Sequence, residues 1–350
     1  MKILRIYLRL PPQSGGMEKH ISALSQEQLK AGHQVTIFYN TGDPVSSNDI
    51  AITPFLNLSA IKPAFLSAIL FYFLVIIKII KEGVRADVVH IHGDWGHLCL
   101  AGLVKKMVKA RCLAFSVHGE LSEQGWRHEL LRYFIKPVDV MFATGFFSYK
   151  VLSNISTVPC YFQPSGIDDR LLSRASHVIA TEKSVSKRSV ILSVCNYKKV
   201  KNIDFIILLA SIMLEYDFEI IGDGEERQKL QDKINLLGLS NIVLLGGKYG
   251  DELASFYEKA DLFLLTSFRE GTPTAVLEAL TFGLPVVTSN AGGISYFLEK
   301  YPQAKVIADF ESEQYVAAIK FFLENSFEKI ENTKVFSWAY IAESITEKYS

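Results

Sequence analysis

Short apolar runs alternate along this chain with longer stretches whose hydrophobic residues recur at helical spacing. This alternation predicts parallel sheets covered by helices. In the first half, residues 2–8, 34–39, 88–92, 111–117 and 140–143 read as strands; in the second, residues 190–194, 218–221, 242–245, 262–265 and 285–288 do. Between the two rounds, residues 169–188 are polar, rich in Ser, Lys and Arg, and poor in periodicity, so an interdomain linker is expected there. Two Rossmann-like α/β domains follow, 1–168 and 189–336, with ligands expected at the carboxyl ends of strands and in a cleft between domains. Residues 337–350 are amphipathic and predict a terminal helix packing back on the first domain.

A length of 350 residues fits two cores better than one. Residues 64–80 are apolar except for Ser67 and Lys78, just short of a bilayer span, and predict a buried or interfacial helix. Lys78, Lys81, Arg85, Lys105, Lys106, Lys109 and Arg111 would meet anionic headgroups, or are solvated lysines and arginines beside a core helix. Lys and Arg together equal Asp and Glu at 37 each, so no overall basic field recruits nucleic acid. Residues 1–168 nevertheless hold 17 basic and 12 acidic side chains, net +5, which leaves the remainder at −5 and makes the first half the better fit to an anionic surface. Arg5 and Arg9 interrupt what a signal peptide would need as an apolar core. Cys99, Cys112, Cys160 and Cys195 form no C-x-x-C pair, so the reducing cytosol is the expected compartment.

The segment from Ser267 to Leu280 carries the most chemistry. Glu270 lies before a Gly271-Thr272-Pro273-Thr274 turn and Glu278 about one turn inside the helix that follows. Pro273 suits a first helical turn, Thr272 or Thr274 offers a capping hydroxyl, and the backbone N–H groups there attract an anion. The two carboxylates can face one pocket around a phosphate, although the same pair would suit acid/base hydrolysis. Gly222-Asp-Gly224 opens a helix after a strand, but Arg227 stands where a dinucleotide fingerprint needs its third glycine, which weakens a dehydrogenase reading. Gly15 and Gly16 follow the first strand, where missing side chains let a ligand approach the backbone. No D-x-D sequence occurs and no His/Cys cluster has metal-ligand spacing along the chain.

Taken together, Gly15-Gly16-Met17-Glu18-Lys19-His20, Val117-His118-Gly119, Gly222-Asp-Gly224, Glu270 to Glu278 and Gly283-Leu-Pro-Val-Val resemble glycosyltransferase family 4, retaining enzymes of the GT-B fold. The likeness is collinear and spans nearly the whole chain. It implies that Glu278 bonds the donor ribose, that Glu270 contacts donor sugar hydroxyls, and that Gly271, Thr272, Pro273 and Thr274 offer backbone to sugar and phosphate. Gly15, Gly16, Gly222 and Gly224 would line the donor site. Lys201 keeps the family's diphosphate-binding place. Asn196 stands where the family has Arg, and an amide cannot compensate charge; Lys198 or Lys199 could substitute, or the three lysines are a solvated loop. His118 would lie beside the donor sugar at the reaction centre, His20 and Glu120 would meet the acceptor, and His90 and His92 are read as structural.

The resemblance implies a retaining, metal-independent glycosyltransferase needing no cofactor, with the departing phosphate as base. Its donor would be a nucleotide diphosphate sugar, and its acceptor a lipid-linked or surface glycan of lipopolysaccharide, O-antigen, capsule or exopolysaccharide. The expected location is cytoplasmic, peripheral at the inner face of the membrane. A soluble sugar or sugar-phosphate acceptor is the enzymatic alternative, and a non-catalytic nucleotide-sugar-binding subunit is an alternative of another class. A nucleotide-sugar epimerase of the same two-domain fold would form product without an acceptor; the setting of the two glutamates favours a transferase.

Overall fold

The apolar runs pair into two sheets, parallel throughout. The computed structural model describes the chain except for residues 13–15, 54–55, 61–63, 94, 120, 122, 178–187, 272, 293, 326 and 328–332. It falls into two units, Met1–Gly166 with Trp338–Ser350, and Ile167–Ser337.

The first unit holds β1 (Lys2–Ile6), β2 (Gln34–Tyr39), β3 (Ile50–Ala51), β4 (Val88–His92), β5 (Cys112–Val117), β6 (Val140–Ala143) and β7 (Cys160–Phe162), in the order β3-β2-β1-β4-β5-β6-β7. The second holds β8 (Val190–Val194), β9 (Asp217–Ile221), β10 (Ile242–Gly246), β11 (Leu262–Leu265), β12 (Val286–Ser289) and β13 (Ala304–Ile307), in the order β10-β9-β8-β11-β12-β13. Each is the doubly wound order, in which the chain direction across the sheet reverses beside the first strand. The central strands β4 and β5 are buried at every position, as a sheet covered on both faces requires. The sequence pattern does not foretell β3, β7 and β13. All three lie at sheet edges, pair on one side only and are mostly half-buried, so they lack the continuous apolar run.

Residues 169–188 differ from the expected linker. The helix Asp169–His177 belongs to the second unit, where Leu171 and Ala175 enter a core cluster with Leu253, Tyr257 and Val276. Arg174 also pairs with Glu258 through two bonds of 2.8 and 2.6 Å. Its apolar residues sit four apart, so the short polar helix still has a burying face. Residues 178–187 lie outside the described residues.

The helix Trp338–Glu347 lies in the first unit. Ile341, Ala342, Ile345 and Tyr349 share a core cluster with Ile21 and Leu24, and Gln28 Nε2 donates to Thr346 Oγ1 at 2.7 Å. The helix Ala64–Glu82 is two-faced: Ala68, Phe71, Tyr72, Val75 and Ile79 are buried, whereas Leu66, Ile69, Leu70, Phe73 and Ile80 are exposed. Among the described residues, no helix is long and apolar enough to cross a membrane.

Candidate functional site

In the second unit the topological reversal falls between β8 and β11, so the loops leaving these strands meet where an open α/β sheet binds ligands. The loop after β8 runs through Asn196 to Lys201 and Asn202, and the loop after β11 runs from Thr266 to Glu270. Backbone and side chains tie them together: Phe268 N–H donates to Val200 O at 2.8 Å, and the Thr266 hydroxyl to Asn202 O at 3.0 Å. Lys201 Nζ then donates to Glu270 Oε1 at 2.6 Å. Ser267 Oγ donates to the same oxygen at 2.6 Å, and Ser289 Oγ donates to Ser267 O. With side chains only 17% and 9% exposed, Lys201 and Glu270 form a charge-assisted pair screened from bulk water.

The helix Thr274–Thr281 begins directly after Pro273, which itself takes the N-cap position. The expected threonine cap is therefore corrected: Pro273, with extended backbone, is the last residue before the helix, and Thr274 is already its first. Thr272, Gly15 and Glu120 lie outside the described residues. Glu278 sits in the second turn, half-buried, and its Oε2 accepts a 2.7 Å bond from the Tyr257 hydroxyl.

Gly222 and Gly224 have φ of +144° and +159°. A Cβ on Gly222 would stand 1.8 Å from Cys195 O, and one on Gly224 would stand 2.6 Å from Tyr197 O. The turn therefore needs glycine to pack against the Cys195–Tyr197 loop, which Tyr197 N–H to Asp223 O (2.9 Å) and Glu226 N–H to Tyr197 O (3.0 Å) close. Asn196, Lys198 and Lys199 are exposed.

In the first unit, β1, β4 and β5 deliver four histidines to one place. His20 lies on the helix Gly16–Lys30 after β1, His90 and His92 on β4, and His118 just past β5. His92 Nδ1 and His118 Nε2 share a hydrogen bond at 3.0 Å, His20 stacks edge-on to His118 at 4.4 Å, and His20 Nδ1 bonds Ser165 Oγ at 3.0 Å. His90 is held by Tyr349 OH and Ser116 Oγ, each at 2.7 Å. Burial keeps the rings neutral: it drives the pKa of His20, His90 and His92 well below 6.5 and that of His118 to about 3.

Spacing along the chain hides one arrangement that the fold creates. His20, His92 and His118 each bring a ring nitrogen within 4.8 Å of the others, a set that could hold a metal ion. The chain shows no metal-ligand spacing for this set, because strand order, not sequence distance, gathers it.

Sequence reasoning located Lys201, Glu270, Glu278, Asn196 and the Gly222–Gly224 turn, and all belong to the second unit. The roles of Ser267 and Tyr257 are not legible in the sequence, and His92, read as structural, is buried and bonds His118. Tyr257 shares a buried helical face with Leu253 and Ala254, a pattern that by itself reads as core.

Residues 178–335 match the family described as Glycosyl transferases group 1, and residues 14–171 match the one described as Glycosyltransferase Family 4. N-acetyl-alpha-D-glucosaminyl L-malate synthase of Bacillus anthracis is 25% identical over 314 residues, covering 83% of this chain and 80% of that relative. Two solved structures share the fold over 99% of this chain. One is the lipopolysaccharide outer core galactosyltransferase WaaB in its apo form, with a TM-score of 0.75, 18% identity and 99% of that chain covered. The other is Alr3699/HepE of Anabaena in complex with UDP-glucose, with a TM-score of 0.71, 16% identity and 98% covered.

Proposed function

The chain belongs to the group 1 glycosyltransferases of family 4, and from that premise we propose that it transfers a sugar, with retention and without a metal, from a nucleotide diphosphate sugar to a lipid-linked or surface glycan. The observation that carries this reading is the Lys201–Glu270 pair at the topological reversal of the second sheet, with Glu278 on the adjoining helix. On donor binding, the diphosphate competes with Glu270 for the Lys201 ammonium and draws compensating charge as the leaving group forms. Glu270 and Glu278 accept hydrogen bonds from sugar and ribose hydroxyls. Gly271, Pro273 and Thr274 would present backbone to sugar and phosphate.

The bond from the anomeric carbon to phosphate breaks and the bond to the acceptor oxygen forms on the same face. The acceptor proton passes to a departing phosphate oxygen, so no protein base is required. His118 is neutral, so its part in the reaction would be that of a hydrogen-bonding group and not of an acid or a charged ligand. Lys201 supplies the charge that a divalent ion would otherwise bring.

The exposed apolar stripe Leu66, Ile69, Leu70, Phe73 and Ile80, with exposed Lys81 on the same helix and Lys106 and Lys109 elsewhere in the first unit, supports a peripheral position on the anionic inner face of the cytoplasmic membrane. A soluble acceptor is the second reading, supported by the name of the Bacillus anthracis relative, a synthase for an L-malate conjugate.

Two assays test these readings. Donor hydrolysis across UDP-, GDP- and ADP-sugars with EDTA present should occur in the wild type and fall at least a hundredfold in Glu270→Ala; tight nucleotide binding without turnover in both would establish a binding subunit instead. Liposomes of anionic lipid at low salt should sediment the protein and lose it on Phe73→Asp. No sedimentation of the wild type would favour the soluble acceptor.

A further inference from the structure

Glu278 reaches its proposed partner through a side chain with three rotatable bonds, yet one carboxylate oxygen is already committed. Tyr257 lies on the helix Gly250–Lys259 and is fully buried. Its ring stacks on Phe282 at 5.3 Å with planes 14° apart, and packs near Phe263 at 6.1 Å. The phenol therefore cannot swing, and its hydroxyl points at Glu278 Oε2, 2.7 Å away. The Ala275 carbonyl lies 3.4 Å from the same hydroxyl, too far to compete with Glu278 for its single proton. Burial, followed by the Glu278 charge, holds the phenol pKa well above 10, so the group remains a donor throughout the working pH range.

We infer that Tyr257 is a positioning residue for nucleotide recognition: by holding Oε2 it fixes the plane of the Glu278 carboxylate, and through it the preference for a ribose over a deoxyribose. This rests on the reading that Glu278 grips the ribose. A carboxylate free to rotate would accept from a hydroxyl in several directions and pay the ordering cost on binding; one held by a rigid phenol does not. The effect should therefore fall on ribose-bearing ligands and spare those lacking the hydroxyls.

The test is calorimetric binding of UDP or GDP, whichever the wild type binds more tightly, alongside the 2′,3′-dideoxy form of the same nucleotide. Tyr257→Phe removes one oxygen and keeps the stacked ring. It should weaken the ribonucleotide five- to tenfold, leave the dideoxy ligand within twofold, and raise donor KM with little change in kcat. Replacing Tyr257 by 3-fluorotyrosine, which keeps the hydroxyl, should restore the wild-type ratio. If Glu278→Gln abolishes ribose preference while Tyr257→Phe keeps it, the positioning role is overturned. If Glu278→Gln keeps the preference, the ribose reading itself fails. Equal weakening of both ligands in Tyr257→Phe would mark a purely structural role and overturn the inference.

Discussion

A matched pair of glycine substitutions separates backbone strain from displacement of the site. Gly292, between β12 and the helix Ile294–Leu298, has φ +65°, and a Cβ there would stand 1.9 Å from Glu270 O, 2.9 Å from Glu270 C and 3.2 Å from Gly271 O. Carbon to oxygen contacts normally begin near about 3.3 Å, so the Glu270 loop would have to retreat by more than about 1 Å. Gly238 has nearly the same φ, +62°, with nothing within 4 Å of its Cβ. Gly238→Ala therefore incurs only the left-handed Cβ penalty, about 1–2 kcal/mol. Gly292→Ala incurs that penalty plus about 1–3 kcal/mol of overpacking, and the retreat pulls the Glu270 carboxylate away from Lys201 and Ser267. A misplacement of roughly 1 Å can cost about a hundredfold in rate. Urea unfolding and initial rates of donor turnover should show Gly238→Ala mildly destabilised with wild-type turnover, and Gly292→Ala more destabilised and about a hundredfold slower. Indistinguishable stability and turnover in the two variants would refute the argument that the Gly292 contact seats Glu270.

Further outcomes follow from the charged and histidine clusters. Lys201→Met should destabilise by about 2–3 kcal/mol because Glu270 keeps its charge and loses its cation, while Lys201→Met/Glu270→Gln should recover part of that loss; additive effects in chemical denaturation would show that the pair is not coupled. His20, His90, His92 and His118 have folded pKa values below the unfolded 6.5, so the native state binds fewer protons than the unfolded state below that pH. Stability is therefore fully present above pH 6.5 and falls as pH drops, by about 1.4 kcal/mol per pH unit for each such ring, with His118 contributing down to about pH 3. His92→Gln should flatten the slope measured between pH 7.5 and 5.5 by one ring's worth; an unchanged slope would mean that His92 is protonated in the folded protein.

Those strands with both faces covered, β4 and β5 above all, were legible because every residue in them is apolar or sits in an apolar run. Edge strands such as β7, half-exposed, carry no such signal. Lys201 and Glu270 were each legible from their loops, but their bond was not: it spans 69 residues and exists because β8 and β11 are neighbours, a fact of sheet order that periodicity does not encode. The histidine cluster was hidden for the same reason. Tyr257 escaped because a tyrosine in a helix reads as core, and only the position of its oxygen distinguishes a partner of Glu278 from a packing residue. The helix Asp169–His177 escaped because its burying face is only two residues wide amid polar neighbours.

The segment Trp338–Ser350 gives this chain an order of assembly. The buried guanidinium of Arg5 bonds Ser25 and Gln28, Gln28 in turn bonds Thr346, and His90 bonds Tyr349. These closing partners are synthesised after the whole of Ile167–Ser337. On a ribosome the second unit can therefore finish folding while the first, begun earlier, still waits with Ile21, Leu24 and the inner face of its first helix uncovered. Nascent protein should be most vulnerable to proteolysis and chaperone capture in its oldest part, a reversal of the usual amino-terminal-first sequence.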